Sequence, residues 1–139
     1  MIPQTLGIDF GTKRIGLALG STLTGSARAL SVLPNNGAFL NDLNKLIKEW
    51  QVTGLIVGLP LDMDGEEQEI TRQVRNCAKK IKNHCQLPVD FVDERLTSFE
   101  AERQFKDLRQ NKQAKAKNKD QIDAMAAQII LQSYLDQHG

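Results

Sequence analysis

Three short extended segments precede the first helical pattern of this chain, and this order limits the folds that it can adopt. Apolar, strand-like residues cover 5–10, 15–19 and 27–33. A Gly11-Thr12-Lys13 turn follows the first segment, and an Asn35-Asn36-Gly37 turn follows the third. Turns of this kind join antiparallel neighbours, so the sequence predicts a sheet that begins with three antiparallel strands.

Helical and strand patterns alternate after these turns. Apolar residues recur at helical spacing over 40–50 and 70–81, and each helical pattern precedes a short apolar run, at 54–59 and at 89–92. Parallel strands need a crossover connection, so this alternation predicts that the later strands run parallel. The expected fold class is α/β, with a mixed five-stranded sheet of three antiparallel and then parallel strands, flanked by helices.

The last third of the chain is less regular. A capping pattern at Thr97 predicts a short helix that ends near Leu108. Residues 110–119 lack apolar periodicity, which predicts a mobile basic loop. Asp120 is expected to cap a final helix. The predicted buried stripe of that helix consists of Ile122, Met125, Ala126, Ile129 and Ile130.

Length and composition narrow the class of protein. A chain of 139 residues, 40% hydrophobic and 25% charged, fits one domain over 1–139 with its own core. Its apolar runs fall short of the roughly 20 residues that span a bilayer, and it begins without an export signal, so we expect a cytoplasmic protein. Cys77 and Cys85 lie about 12 Å apart along one predicted helix, too far to pair.

Acidic residues end two of the predicted strands. Asp9 lies in an apolar strand, where an ionised carboxylate is costly unless a cation or hydrogen-bond donors compensate it. It could instead cap the amides of the following turn. Asp93 and Glu94 end a later strand, and because adjacent strand residues point to opposite faces, only one can join Asp9. We expect Glu94 to do so, the alternative being that both merely pair with Arg95.

Asp123 is the third candidate acid. Its predicted place is the first turn of the last helix, where the helix dipole alone would favour a carboxylate. Small residues after it would let this turn approach the sheet, so Asp9, Glu94 and Asp123 could converge. Clustered carboxylates repel unless a divalent cation neutralises them, and oxygen ligands suit Mg²⁺ or Mn²⁺. Such ions can orient water and stabilise the leaving oxygen of a phosphodiester.

Basic residues around these acids predict a polyanionic substrate. The formal net charge is only +1, but residues 103–119 hold seven basic side chains against one acid, and the rest of the chain is acidic. Lysines close to a metal site neutralise phosphates and release counterions. The alternative is a solvated loop with no ligand. The expected substrate contacts are Gly11, Thr12, Lys13, Arg14, Arg95, Lys115, Lys117 and Lys119.

The chain resembles the YqgF/RuvX family over nearly its whole length. The resemblance rests on the motif at 7–16, on 56–61 with Asp64-Gly65, on 93–97 and on 119–124. It implies an RNase H-like fold and a nuclease that matures the 5′ end of 16S ribosomal RNA precursor. It also implies Asp9, Glu94 and Asp123 as the acidic site, lined by residues 58–61.

Two other functions remain open from the sequence, and a third is disfavoured. The first is a Holliday junction resolvase, which would use the same metal chemistry on branched DNA, as a dimer with two paired sites. The second is a nucleic-acid-binding ribosome assembly factor that does not use the site. The third, an actin-like ATPase module, needs a second lobe for which 139 residues leave no room. The sequence leaves open whether the protein is a monomer or a homodimer.

Overall fold

A five-stranded mixed sheet forms the centre of the molecule. The computed structural model describes residues 4–11, 13–61, 64–93 and 116–138, with the side chains of the last segment described over 123–137. The elements in chain order are β1 (Gln4–Phe10), β2 (Arg14–Ser21), β3 (Ser26–Pro34), α1 (Phe39–Trp50), β4 (Val52–Leu59), α2 (Glu69–Cys85), β5 (Val89–Asp93) and α3 (Ala116–His138).

The strand order is β3-β2-β1-β4-β5. The strands β1, β2 and β3 pair antiparallel, whereas β4 pairs parallel with both β1 and β5. The predicted α/β class, with antiparallel strands followed by parallel ones, is therefore confirmed. The short helix predicted from Thr97 to Leu108 lies outside the described residues.

Alternate residues of each strand pack against different helices. Leu6 and Ile8 of β1 join the apolar core under α1 and α2, together with Leu17 of β2. On the opposite face, Ala18 and Ile56 pack with residues of α3. Because strand side chains alternate between faces, the residues of β1 between and after Leu6 and Ile8 lie under α3.

Small residues let α3 approach the sheet closely. Gly16, Ala18 and Gly20 occupy the α3 face of β2 at alternate positions. A Cβ at Gly7 of β1 would lie 2.7 Å from the Cβ of Leu131, so there is no room for a side chain. The helix therefore rests on the backbone of β1 and β2, which fixes its height above the sheet.

Two predictions for the last helix were wrong. The helix α3 begins at Ala116, so residues 116–119 are helical and Asp120 lies inside the helix rather than at its cap. In the predicted buried stripe, Ile129 and Ile130 are buried as expected, whereas Met125 and Ala126 are only half-buried. The side chains that pack into the core under α3 are Ala127, Ile130, Leu131 and Leu135. Predicted loop residues 110–115 and the side chain of Ile122 lie outside the described part.

Glutamines attach α3 to the outer strand β3. The backbone N–H of Ala27 donates to Oε1 of Gln132 at 2.9 Å, and Nε2 of Gln128 donates to the carbonyl oxygen of Ala27 at 3.2 Å. Nε2 of Gln132 also donates to the carbonyl oxygen of Gly25 at 2.9 Å. These bonds give hydrogen-bond partners to backbone groups on the edge of β3 that does not pair with β2.

Cys77 and Cys85 are both free thiols, as predicted. Both are half-buried against the core under α1 and α2. Burial raises the pKa of each thiol above its ordinary value, and nearby Lys80 offsets part of that rise in pKa at Cys77. No helix in the described ranges is both long enough and apolar enough to span a membrane.

Candidate metal and nucleic-acid site

Asp9 lies on the α3 face of the sheet near the carboxyl end of β1. It follows Gly7 by two residues, and Gly7 abuts Leu131 of α3. Its partner across the antiparallel pair is Gly16, and directly opposite residues share one face of a sheet. The carboxylate is half-buried. This position aims Asp9 at the part of α3 that crosses β2.

Asp123 reaches the same place from the helix. The backbone carbonyl of Asp123 lies so close above Gly16 that a Cβ there would overlap it. Directly paired Cα atoms of antiparallel strands are roughly 5 Å apart. One glycine therefore separates the backbone of Asp9 from that of Asp123, and the structure brings these two predicted ligands together.

The predicted place of Asp123, in the first turn of the last helix, is wrong. The helix begins seven residues earlier than Asp123, at Ala116, so the carboxylate lies beyond the first turn, where the helix dipole is felt most. It is held instead by an ion pair, in which Nε of Arg14 donates to Oδ2 of Asp123 at 2.9 Å. The side chains are 39% and 30% exposed, respectively. Arg14 thus contacts a site acid, besides any contact with substrate.

The predicted choice between Asp93 and Glu94 depends on the faces of β5. Val92 packs under α3, whereas Phe91 packs against the core under α1 and α2. By alternation, Asp93 belongs to the α1 and α2 face, away from Asp9. Glu94 lies outside the described residues, so its role as a ligand stays a prediction.

The donors available suit a hard divalent cation. Among the described residues no three acidic, histidine or cysteine side chains cluster as a metal site would require. Asp9 and Asp123 would supply two of the three carboxylates expected from the sequence, and Glu94 would have to supply the third. Carboxylate oxygens fit Mg²⁺ or Mn²⁺ better than zinc.

The turn between β1 and β2 is rigidly built beside these acids. The N–H of Gly11 donates to the carbonyl oxygen of Arg14 at 2.9 Å. Asn35 braces both ends of the turn, since its Nδ2 donates to the carbonyl oxygen of Gly11 at 2.8 Å and its N–H to that of Lys13 at 3.0 Å. Lys13 is exposed, as a phosphate contact requires. The role of Asn35 was not predicted.

The other predicted substrate contacts cannot be placed. Thr12, Arg95 and Lys115 lie outside the described residues, and Lys117 and Lys119 belong to the first turns of α3, where no side chains are described.

The start of the loop after β4, which was predicted to line the site, is held by two contacts with residues near the start of α2. The buried hydroxyl of Thr71 donates to the carbonyl oxygen of Pro60, and Leu61 forms a β-bridge with Glu67.

Sequence reasoning missed the glycine on which the helix rests. Gly16, Ala18 and Gly20 leave one face of β2 without large side chains, while Ile15, Leu17 and Leu19 fill the other. This alternation of small and large residues was the available signal. It indicates a helix packed directly on the strand backbone.

The chain is similar to known proteins over nearly its whole length. Residues 3–137 match the family RuvX, which is described as Holliday junction resolvase. A protein of Burkholderia ambifaria named "Putative pre-16S rRNA nuclease" is 42% identical over 134 residues, which cover 95% of this chain and 88% of that protein. A protein of Aeromonas salmonicida with the same name is 41% identical, over 95% of this chain and 94% of its own length.

A solved structure supports the fold alone. RuvC of T. thermophilus, determined in complex with a Holliday junction substrate, superimposes with a TM-score of 0.51 at 16% identity. The match covers 71% of this chain and 69% of that one. Together with the strand order, this likeness confirms the RNase H-like fold.

Proposed function

This chain belongs to the RuvX family of nucleases, and we propose that it hydrolyses phosphodiester bonds of structured RNA with the help of divalent cations. The observation that carries the proposal is the convergence of Asp9 and Asp123 on Gly16, from two elements far apart in sequence. Arg14 compensates the charge of Asp123, and two acids held on neighbouring backbone segments offer the oxygen ligands that a hard divalent cation prefers. A metal-binding role accounts for this placement.

Asp9, Asp123 and Glu94 would hold the cations, Mg²⁺ or Mn²⁺. When bound, such ions orient a water molecule and stabilise the charge that develops on the attacking and leaving oxygens. Asp9 is held by a paired strand and Asp123 by a helix resting on that strand, so both carboxylates keep fixed positions. Fixed ligands reduce the reorganisation that the reaction would otherwise require.

The cationic residues act on the substrate and on the acids. Lys13 is exposed in the braced turn after β1 and would neutralise a substrate phosphate, and Gly11, Thr12 and Arg95 are proposed as further substrate contacts. Arg14 compensates the charge of Asp123 and orients it. Lys115, Lys117 and Lys119 extend the basic contact along the chain that leads into Asp123.

The substrate we propose is the 5′ region of 16S ribosomal RNA precursor, processed in the cytoplasm. Its support is the name shared by relatives that are 41–42% identical and cover 95% of this chain. The family description supports a second candidate, resolution of Holliday junctions in DNA. That reaction would use the same carboxylates but would need two sites paired in a dimer.

The test compares both substrates under one set of conditions. Labelled precursor RNA that carries the 5′ extension and a labelled four-way DNA junction are each incubated with the protein, in Mg²⁺, in Mn²⁺ and in excess chelator. We expect metal-dependent cleavage of the RNA, and loss of cleavage in Glu94→Gln. Asp136→Asn, which changes an exposed carboxylate that accepts a bond from Gln132, is the matched control and should cut normally.

Each outcome decides between the candidate functions. Cleavage of the junction in preference to RNA would replace the proposal by the resolvase function. Binding of RNA without cleavage of either substrate would favour the assembly factor. Cleavage that persists in chelator would refute the metal-dependent mechanism.

Replacing Arg14 by glutamine should lower turnover about tenfold while the protein stays stable. The ion pair with Asp123 is partly exposed, so its loss should cost less than about 1 kcal/mol of unfolding free energy. Turnover falls because Asp123 loses the group that orients it. The measurement is turnover rate and thermal unfolding, with Arg28→Gln as control, since Arg28 packs over the Trp50 ring. An equal loss of turnover in both variants would contradict a positioning role for Arg14.

A further inference from the structure

A second basic surface lies on α2, away from the acidic site. This helix holds five arginine and lysine residues and a single acid, Glu69, in its first turn. Arg75, Lys79 and Lys82 follow one another at spacings of four and three residues, so they form one row along the helix. The sequence-based charge argument, which found the excess of basic residues only in 103–119, missed this row.

The row borders a groove between α2 and the outer strand β5. The groove has a volume of about 230 Å³, and Val89 and Phe91 of β5 form its floor with Ala78 of α2. The guanidinium of Arg75 lies over the Phe91 ring, 5.3 Å from its centroid, and Arg75 also pairs with Glu67. These two contacts fix Arg75 in place. Lys79 and Lys82 are exposed at the rim.

The row and the acidic site lie on opposite faces of the sheet, because Phe91 packs on the α1 and α2 face and Asp9 lies on the α3 face. Arg75 lies over Phe91, two residues before the carboxyl end of β5 at Asp93. Because α2 ends just before β5 begins, the helix runs antiparallel to that strand. Lys79 and Lys82 therefore lie progressively further from the carboxyl ends of the strands, about 6 and 10 Å beyond Arg75 along the helix axis.

We propose that this α2–β5 groove, with Arg75, Lys79 and Lys82, binds the phosphate backbone of a substrate RNA that extends from the acidic site around the β5 edge of the sheet. The inference rests on the proposed function for the identity of the polymer. A nucleic-acid strand carries one charge per about 3.4 Å of rise, so a row about 10 Å long matches two or three phosphates. The described residues that line the groove include no carboxylate, and Glu67, outside that lining, pairs with Arg75 and leaves Lys79 and Lys82 as the exposed cations.

The groove is a backbone contact and reads no sequence. Its cations are lysine and arginine side chains on a helix surface, which bind phosphate through charge. It lengthens the contact with RNA beyond the acidic site, which raises affinity for long substrates more than for short ones. An RNA that ends at the acidic site does not reach the groove and gains no affinity from it.

The test is the salt dependence of RNA binding by the Lys79→Gln/Lys82→Gln variant. Binding of a labelled single-stranded RNA is measured by fluorescence anisotropy in chelator, where no cleavage occurs, over a range of salt concentrations. Loss of two phosphate contacts should lower the slope of log K against log salt by about 1.4 and weaken binding roughly 25-fold at 0.1 M salt. The control variant Lys45→Gln/Lys48→Gln removes two exposed lysines from α1 and should bind as wild type does.

The outcomes separate this inference from the proposed function. An unchanged slope in the α2 variant overturns the proposal that the groove binds RNA, even if the wild type cleaves RNA. A lowered slope in a protein that cleaves nothing supports the groove and refutes the nuclease. An equal loss in both double variants indicates a general charge effect and overturns the groove, as does a wild type that binds no RNA. Circular dichroism of both variants checks that the fold is unchanged.

Discussion

Asp9→Asn should abolish cleavage while leaving the protein as stable as the wild type. Asp9 provides a carboxylate on the strand beside Gly16, and an amide binds divalent cations far more weakly than a carboxylate does. Bound metal ions supply several kcal/mol of transition-state stabilisation, and about 1.4 kcal/mol corresponds to a factor of ten. We therefore expect turnover to fall by at least about 10³-fold. The measurement is single-turnover cleavage at saturating Mn²⁺.

Binding measurements make this prediction specific to Asp9. Calorimetric titration of Mn²⁺ should show weaker binding in Asp9→Asn than in the wild type, while RNA affinity in chelator should be equal or higher, because one negative charge is gone. The control is again Asp136→Asn, near the other end of α3. If Asp9→Asn cut RNA at the wild-type rate, the acidic site would be wrong, whatever its effect on metal binding.

The position of Asp9 could be predicted because strand alternation is a local property. Leu6 and Ile8 fill one core, so Gly7 and Asp9 must face the other side of the sheet. The same reasoning separates Asp93 from Val92 in β5. The parallel direction of β4 and β5 followed from the alternation of helices and strands, since parallel neighbours require crossovers.

The last helix could not be located by the same means. Residues 116–120 lack apolar periodicity, yet their alanine and two lysines are good helix formers and continue a helix that is anchored further along. The buried side of this helix was misjudged at Met125 and Ala126. Residues 124–127 and 129–131 are all apolar, so apolar side chains occur on every side of the helix. The sequence then shows no clear helical periodicity of apolar residues. Which residues face the sheet depends on the glycines against which the helix packs.

Local sequence patterns do not reveal ion pairs between residues that are far apart in the chain. Arg14 was predicted only as a phosphate contact, because its partner Asp123 lies 109 positions further along the chain.

The basic row of α2 was missed for another reason. Its cations are separated by apolar and polar residues, so they form a row only on a helix.

Gly16→Ala should impair both stability and catalysis, although it adds a single methyl group. The new Cβ would overlap the backbone carbonyl of Asp123, and backbone atoms of a packed helix cannot turn aside as a side chain can. Overpacking of this kind costs about 1–3 kcal/mol of unfolding free energy. The helix must lift from β2 where it carries Asp123. A displacement of about 1 Å at a reacting group can lower the rate about 100-fold.

Two other glycines separate the effect on the site from the effect on stability. A Cβ at Gly54 meets no atom within 4 Å, so Gly54→Ala should leave stability and turnover unchanged or slightly improve stability. A Cβ at Gly20 would lie 2.7 Å from the carbonyl oxygen of Ser26 and 3.0 Å from Leu135. Leu135 is about 18 Å along α3 from Asp123.

Gly20→Ala should therefore destabilise the protein to a similar extent while the remaining folded molecules keep their turnover and their affinity for Mn²⁺. Chemical denaturation, Mn²⁺ titration and single-turnover cleavage of the three alanine variants test this at a temperature where all are folded. Loss of turnover and metal affinity in Gly16→Ala alone would place Asp123 in the metal site, independently of any change to its carboxylate. Equal losses in Gly16→Ala and Gly20→Ala would instead mean that α3 acts only as a support for the sheet.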